Sequence, residues 1–343
     1  MPVARMFRVV FLVGVAALLG SFALPAHAES IVWVTVGDPG NTADTTTYGA
    51  VASSFQIMKF EFTNQQYTNF LNSVDPNGTN PNSVYNTNQG SNARGGISFA
   101  SSAASGSKYA VKTNMGDKPV NYVSWWDAAR VSNWLVNGAT GTSSTETGAY
   151  TVSGSTSGTA PAKNPGATVY IPTEDQWYKA AYYKGAGTSA GYWRYATQSN
   201  TDPTAVTAGS TGIGSSGSTG NFANYNNAAS WNSQTGNVTT VGTNGVASAY
   251  GAFDMSGNVT EWNDLTGAAS SSRVQRGGAW NQFVVSNLAS AGRSPDTPSN
   301  ELFNRGFRLA SPVAVPEPST YAMPLVGLAC GGYSLFFRRR SAH

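Results

Sequence analysis

The sequence predicts a mixed α+β fold with few helices, short strands and long loops, and three observations predict it. Three segments carry a helix cap ahead of apolar residues at helical spacing. Short apolar or alternating runs occur at FQIMKFEF (55–62), ATVYI (167–171) and RGFRLA (305–310). Gly/Ser/Thr/Asn-rich stretches, chiefly 138–164, 197–221 and 232–249, separate them with a composition that favours surface turns. This pattern is neither a doubly wound sheet nor a solenoid.

The elements follow in order. In FTNQQYTNFLNS, Thr63 caps a helix, Phe62 acts as a staple, and Tyr67, Phe70 and Leu71 share one face. In VSWWDAARVSNWLVNG, Ser124 caps with Asp127 at the third position; Ala128, Val131 and Leu135 recur at helical spacing, and Gly138 ends the run. In IPTEDQWYKAAYYKG, Pro172-Thr173 opens a helix, Gln176 closes a capping box, Trp177, Ala180 and Ala181 face inward, and Gly185 stops it. ETGAYTVSG alternates enough for a short hairpin strand. Aromatic-rich patches run from Phe55 to Phe307 without a dividing linker, so one domain with long decorated loops is expected.

The ends read as processing signals. Arg5 and Arg8 precede the apolar run Val9 to Leu24, and Ala26-His27-Ala28 offers a signal-peptidase site; segment 1–28 is therefore expected to be a signal peptide, with 29–50 a lead-in. At the other end VPEPS precedes eighteen uncharged residues, 320–337, and Arg338 to Arg340 follow. That length suffices for a membrane-crossing helix with its basic tip on the cytoplasmic side. The segment 316–343 resembles a PEP-CTERM sorting tail. The resemblance implies export from a Gram-negative bacterium, transient inner-membrane anchoring, recognition by an exosortase, and a cell-surface or extracellular-matrix destination.

Composition removes several classes of chemistry. The net charge of +3 comes from the ends: without their five arginines and Glu317, residues 29–315 carry 15 basic and 16 acidic side chains. No basic stripe remains for nucleic acid. The one cysteine is Cys330, and the two histidines are His27 and His343. The body thus has neither thiol nor imidazole, which excludes a disulfide scaffold, a Cys/His zinc site, a Ser-His-Asp triad and a cysteine nucleophile.

The densest polar cluster is AYGAFDMSGNVTEWNDL (249–265). Asp254 and Glu261 could supply carboxylate oxygens to a hard ion such as Ca²⁺, with Gly257 permitting a turn that aims carbonyls inward. The alternative is a turn stitched by Asx hydrogen bonds, which Asn258 serves in either case.

FQIMKFEFTNQQYTNFLN, KPVNYVSWWDAARVSNWL, YIPTEDQWYKAAYY, GAFDMSGNVTEW, RVQRGGAW and GFRLA stand in this order, and together they resemble the formylglycine-generating enzyme (sulfatase-modifying factor) family across 51–311. The resemblance implies an irregular α+β architecture related to C-type lectins. Sulfatase-activating members oxidise a substrate cysteine with O₂ and copper held by two active-site cysteines; matching along GGAWNQFVVSN puts these at Gln282 and Asn287. An amide is a poor Cu(I) ligand, so copper chemistry is not expected. A family calcium site matches Asp254, the carbonyls of Gly257 and Val259, and Glu261; a second begins at Asn224 and the Tyr225 carbonyl but lacks a matching acid. Thr260 replaces a tryptophan beside the cleft of active members. Arg276, Arg293 and Arg308 match family arginines, as salt-bridge formers or ligand contacts.

Three functions compete. The first is a non-catalytic surface or matrix binding module for a glycan or matrix protein, with Tyr225, Trp231, Trp280 and Asn281 as exposed contacts. The second is an enzyme with altered chemistry, including a carboxylate-based hydrolase drawing on Asp254, Glu261, Asp264 and Asp296. The third is a structural matrix component without a specific ligand.

Overall fold

Thr63, Ser124 and Thr173 each accept a hydrogen bond from the backbone of the third helical residue, whose own side chain returns one to the cap. These three capping boxes start the three substantial helices of a computed structural model that describes residues 30–312. In chain order the elements are β1 (Trp33–Val36), β2 (Phe55–Met58), α1 (Asn64–Val74), a one-turn α2 (Asn88–Ser91), β3 (Ile97–Phe99) and β4 (Tyr109–Val111). Then follow α3 (Trp125–Val136), α4 (Glu174–Tyr182), β5 (Thr204–Ala205), β6 (Phe222–Ala223), β7 (Thr260–Asn263) and β8 (Arg273–Arg276). The last three are β9 (Ser294–Asp296), β10 (Arg305–Phe307) and β11 (Ala310–Ser311). The result is the expected α+β arrangement, poor in regular structure. The expected signal peptide, transmembrane helix and sorting tail lie outside the described residues. Among the described residues no helix is long and apolar enough to cross a membrane.

Two sheets organise the core. β2 is central in one, with β1 and β11 antiparallel on either side. The other has the order β10-β7-β8-β9, in which β10 runs parallel to β7 and the remaining pairs are antiparallel. The chain therefore passes from the second sheet to the first within six residues, 305–310. RGFRLA, expected as one strand, is broken there because Arg308 and Leu309 lie between the sheets. β1 comes from the stretch expected as a lead-in, and Trp33 to Val36 pair with Met58 to Phe55.

Two expected strands are single bridges instead. In ATVYI only Tyr170 pairs, with Ala310, and in the ETGAYTVSG segment only Tyr150 pairs, with Lys163. Side-chain contacts hold these segments: the Tyr150 ring lies edge-on to Trp125 at 5.0 Å, and its hydroxyl bonds Asp264 at 3.1 Å.

The apolar faces meet in an aromatic core. Trp125, Trp126, Trp134, Trp177 and Trp262 are all buried, and edge-to-face neighbours such as Phe70 against Trp134 (5.4 Å) fix their orientation. Phe62, read as a staple, stacks on Phe307 at 5.0 Å and so ties the start of α1 to β10. α4 ends at Tyr182, before Gly185, because Tyr183 turns to an extended conformation.

Asp127 in the α3 capping box accepts from Ser124 N at 2.8 Å and Ser124 Oγ at 2.6 Å. Burial, and then the charge of Glu301, push its carboxyl from 3.8 up to about 8. Burial likewise raises Asp264 to about 7. Between pH 4 and 8 the native state then binds more protons than the unfolded chain, so stability falls as pH rises, by at most about 1.4 kcal/mol per unit for each group. The urea midpoint should drop between pH 5 and pH 8.5, with a shallower drop in Asp127→Asn. A midpoint that rises over this interval would mean that Asp127 is ionised and anchored by Ser124.

Candidate functional site

β8 ends at Arg276 and the chain turns through Gly277 and Gly278, both left-handed at φ +90° and +71°. A Cβ on Gly278 would meet Leu288 Cδ1 at 2.8 Å and the Asn287 carbonyl at 3.1 Å, so this turn requires glycine. The backbone N–H of Trp280 then bonds the Asn258 carbonyl at 2.9 Å. A 3₁₀ turn over Val285–Leu288 brings the chain back. Gln282 and Asn287 thereby become neighbours: Asn287 Nδ2 donates to Gln282 Oε1 at 2.5 Å. The two positions expected to correspond to catalytic cysteines thus face each other as a carboxamide pair.

They form one wall of a pocket of about 180 Å³ whose other sides include Thr260, Gln275, Arg276 and Arg293. Behind it Glu174, in the first turn of α4, is shared by two guanidinium groups. Arg276 Nε and Nη2 both reach Glu174 Oε1 at 2.7 Å, while Arg293 Nε and Nη2 reach Oε1 at 2.8 Å and Oε2 at 3.1 Å. Tyr48 lies against both guanidiniums, 4.6 Å from that of Arg276 and 5.7 Å from that of Arg293. Thr260, where the resemblance implies a tryptophan, lines the pocket and donates to the Asn304 carbonyl at 3.0 Å. Glu174 was missed in the sequence although an acid just after a Thr cap is a recognisable signal.

On the other side of the same loop lies an open groove of about 380 Å³, lined by Asn92, Arg94, Asn227, Trp280, Asn281 and Phe283 among others. Arg94 sits over the Trp280 ring at 4.8 Å, and Phe303 is tilted against that ring at 5.6 Å. Trp280 Nε1 and Asn227 Oδ1 are buried without a protein partner. Asn281 Oδ1 accepts from Asn304 Nδ2 at 3.0 Å. Phe283, which no sequence signal singled out, is 70% exposed.

Two of the aromatic contacts expected at the surface are not there. Trp231 is buried against Met115, Val238 and Val259, its indole N–H bonding the Val238 carbonyl at 2.7 Å. Trp280 is itself only 3% exposed and belongs to the same buried cluster. Tyr225 is half-buried, its hydroxyl bonding the Pro203 carbonyl at 2.8 Å.

The acids of 249–265 are in the interior. Glu261 accepts from Arg308 Nε at 2.6 Å, Arg308 Nη2 at 2.7 Å and Trp177 Nε1 at 2.7 Å. Asp254 accepts from Gly242 N at 2.5 Å and Asn244 Nδ2 at 2.8 Å. Glu61, which the sequence reading passed over, accepts from Asn258 Nδ2 at 2.8 Å. Burial, then the charges of Asp254 and Glu261, push the Glu61 carboxyl far up. Three buried carboxylates thus face one guanidinium, and nitrogen donors hold their oxygens. The side chains expected to ligate calcium do not, in this arrangement, form an oxygen cage for it. Gly257 is left-handed at φ +94° and packs on the Asn224 backbone, whose N–H···O partner is Asn258. Among these residues Asn224 Oδ1 alone is a buried acceptor without a partner.

The remaining acids do not pair across a cleft. Asp264 is fully buried, 3.0 Å from Arg273 Nε but off the hydrogen-bond direction, and bonded by Tyr150. Asp296 binds Arg305 at 2.5 Å. The cavity touching Asp254 holds only about 10 Å³. Arg308 is buried in its pair with Glu261, so its role is structural, whereas Arg276 and Arg293 border the pocket.

Residues 20–313 match the Sulfatase-modifying factor enzyme 1-like domain, and the chain belongs to that family. No curated protein gives a significant match. Among solved structures, CarF is similar at 24% identity and a TM-score of 0.50, over 83% of this chain and 99% of CarF. Treponema denticola variable protein 1 is 18% identical with a TM-score of 0.47, covering 82% of this chain and 95% of its own. PvdO from Pseudomonas aeruginosa is 18% identical with a TM-score of 0.39, covering 82% and 91%. At these identities the likeness concerns the fold.

Arg308→Met should lower stability by about 3–5 kcal/mol, because it strands a buried Glu261 carboxylate. Arg308→Met with Glu261→Gln should be less destabilised than the single variant, as urea midpoints would reveal; equal or greater loss in the double variant would place the energy elsewhere. EDTA is expected to leave Tm unchanged. A calcium-dependent, chelator-reversible rise in Tm would mean that Asp254 and Glu261 exchange their nitrogen partners for the ion.

Proposed function

We propose that this family member is an exported, non-catalytic binding module that holds a glycan at the cell surface or in extracellular matrix. The carboxamide pair Gln282–Asn287 carries the reading. Copper-dependent oxidation requires soft sulfur ligands, and two amides joined by a hydrogen bond do not fit that ion. A carboxylate-based hydrolase has less support, because Asp254, Glu261, Asp264 and Asp296 are each held by a protein partner and the cavity at Asp254 holds only about 10 Å³.

The groove beside the pair supplies what sugar binding needs. Phe283, 70% exposed at the groove, gives apolar surface for a pyranose face. Asn92, Asn281 and Arg94 add polar groups at its sides. The partnerless Trp280 Nε1 and Asn227 Oδ1 are a buried donor and a buried acceptor that a hydroxyl or an ordered water would satisfy. Signal-peptide removal after Ala28 and exosortase handling of the 316–343 tail belong to the same proposal, since they would deliver the domain to a polysaccharide-rich surface.

Glycan-array binding by the secreted full-length protein is the expected outcome, with Phe283→Ala weakening it about 3- to 10-fold. No signal on any glycan, or undiminished binding by Phe283→Ala together with Asn281→Ala, would overturn the reading.

A further inference from the structure

We propose that the pocket behind Gln282 and Asn287 binds a carboxylate group carried by a hexuronate residue of an acidic glycan. The inference rests on the glycan-binding reading and specifies the chemistry of its ligand.

The two arginines at the pocket differ in how far they are committed. Among the described residues Glu174 is the only acid hydrogen-bonded to Arg276 and Arg293; Asp175 beside it is near enough for its charge to act on Arg276 but accepts from Gly49 N instead. Arg276 is fully committed, with Nη1 donating to the Ser290 and Gly292 carbonyls at 2.9 and 3.0 Å. Arg293 is not: its Nε and Nη2 hold Glu174, but Nη1 has no partner among the described residues, and its side chain is 30% exposed. Gln282 is in a similar state. Its Oε1 accepts from Asn287, while its Nε2 donates to no described residue. Two uncommitted N–H groups, one of them cationic, therefore belong to residues that border one small cavity.

Guanidinium groups recognise carboxylates by charge-assisted hydrogen bonds. Asp296, on the neighbouring strand β9, is already paired with Arg305 and accepts from Gln275 Nε2 at 3.3 Å, and Glu261, in register with Arg276, is held by Arg308. At about 180 Å³ the cavity is below the usual 300–1,000 Å³ or so of a whole-ligand site. It suits a single substituent projecting from a larger molecule.

The loop itself connects the two features. Gln282 borders the pocket, while Asn281 and Phe283, its neighbours in sequence, border the groove. A sugar ring resting against Phe283 would have its charged substituent directed past Gln282 toward Arg293. A pyranose bearing a C6 carboxylate combines an apolar face with one such group, which a free small acid does not.

Titration calorimetry on the full-length protein would compare a glucuronate-containing oligosaccharide, its methyl ester, the neutral glucose counterpart and acetate. The uronate should bind about tenfold or more tightly than the ester or the neutral sugar. Arg293→Gln and, independently, Gln282→Ala should reduce that preference by lowering uronate affinity more than neutral-sugar affinity; Phe283→Ala should weaken both sugars by the same factor. Equal affinity for uronate and ester would overturn the carboxylate site but leave glycan binding standing. Acetate binding as tightly as the uronate would overturn the sugar as its source. A preference untouched by both pocket variants would place carboxylate recognition elsewhere, and absence of binding to every sugar would defeat both proposals.

Discussion

The buried pair Glu261–Arg308 is the constraint on which the two sheets depend. Glu261 is in β7, and Arg308 occupies the two-residue gap between β10 and β11. From there its guanidinium also reaches the Met58 carbonyl at 3.1 Å at the end of β2 and the Phe253 carbonyl at 2.7 Å. One side chain thus joins both sheets and the 249–259 turn. A carbonyl-rich crossing of this kind cannot be filled by an apolar residue without orphaning several acceptors. The same geometry prevents RGFRLA from being one strand.

A second buried network works outward from that crossing. Asn258 is left-handed at φ +63°, and its side chain donates to Glu61 while accepting from Thr239 N at 2.9 Å and Asn224 Nδ2 at 3.1 Å. Its carbonyl anchors Trp280. The loop that carries Gln282 is therefore held at its base by Asn258 and at its return by Leu288, whose carbonyl accepts from Ser256 Oγ at 3.1 Å and Tyr182 Oη at 3.2 Å. The loop is fixed at both ends while its tip, including Phe283 and Val284, is exposed.

What the sequence disclosed follows from how locally each feature is determined. The three helices were legible because a capping box is a contact between residues three apart. Of the strands, β2 and the β10–β11 segment were legible from their apolar runs, whereas β7 and β8 were not, because they owe their state to partners 11 to 45 residues away and to a buried ion pair rather than to alternation. Trp231 was misread for a related reason: a tryptophan in a serine- and asparagine-rich stretch has surface-like neighbours in sequence, but Gly212 packs against its ring at a distance a Cβ could not tolerate. Gln282 and Asn287 were identified by position in a motif. Their mutual hydrogen bond was beyond reach, since it depends on a 3₁₀ turn with no capping side chain.

The pocket walls have a structural origin of their own. The side chains of Gln282 and Asn287 bond each other, whereas Glu174, Arg276, Tyr48 and the Ser290 and Gly292 carbonyls bond or pack with one another. Glu174 also stands in the first turn of α4, where a negative charge favours the helix N-terminus. The cavity walls are consequently set by the same contacts that hold α4 against β8. Two carboxamides at its mouth present hydrogen-bonding groups in front of the Glu174–Arg276–Arg293 cluster. A fold of this kind positions such groups without by itself fixing the use made of them.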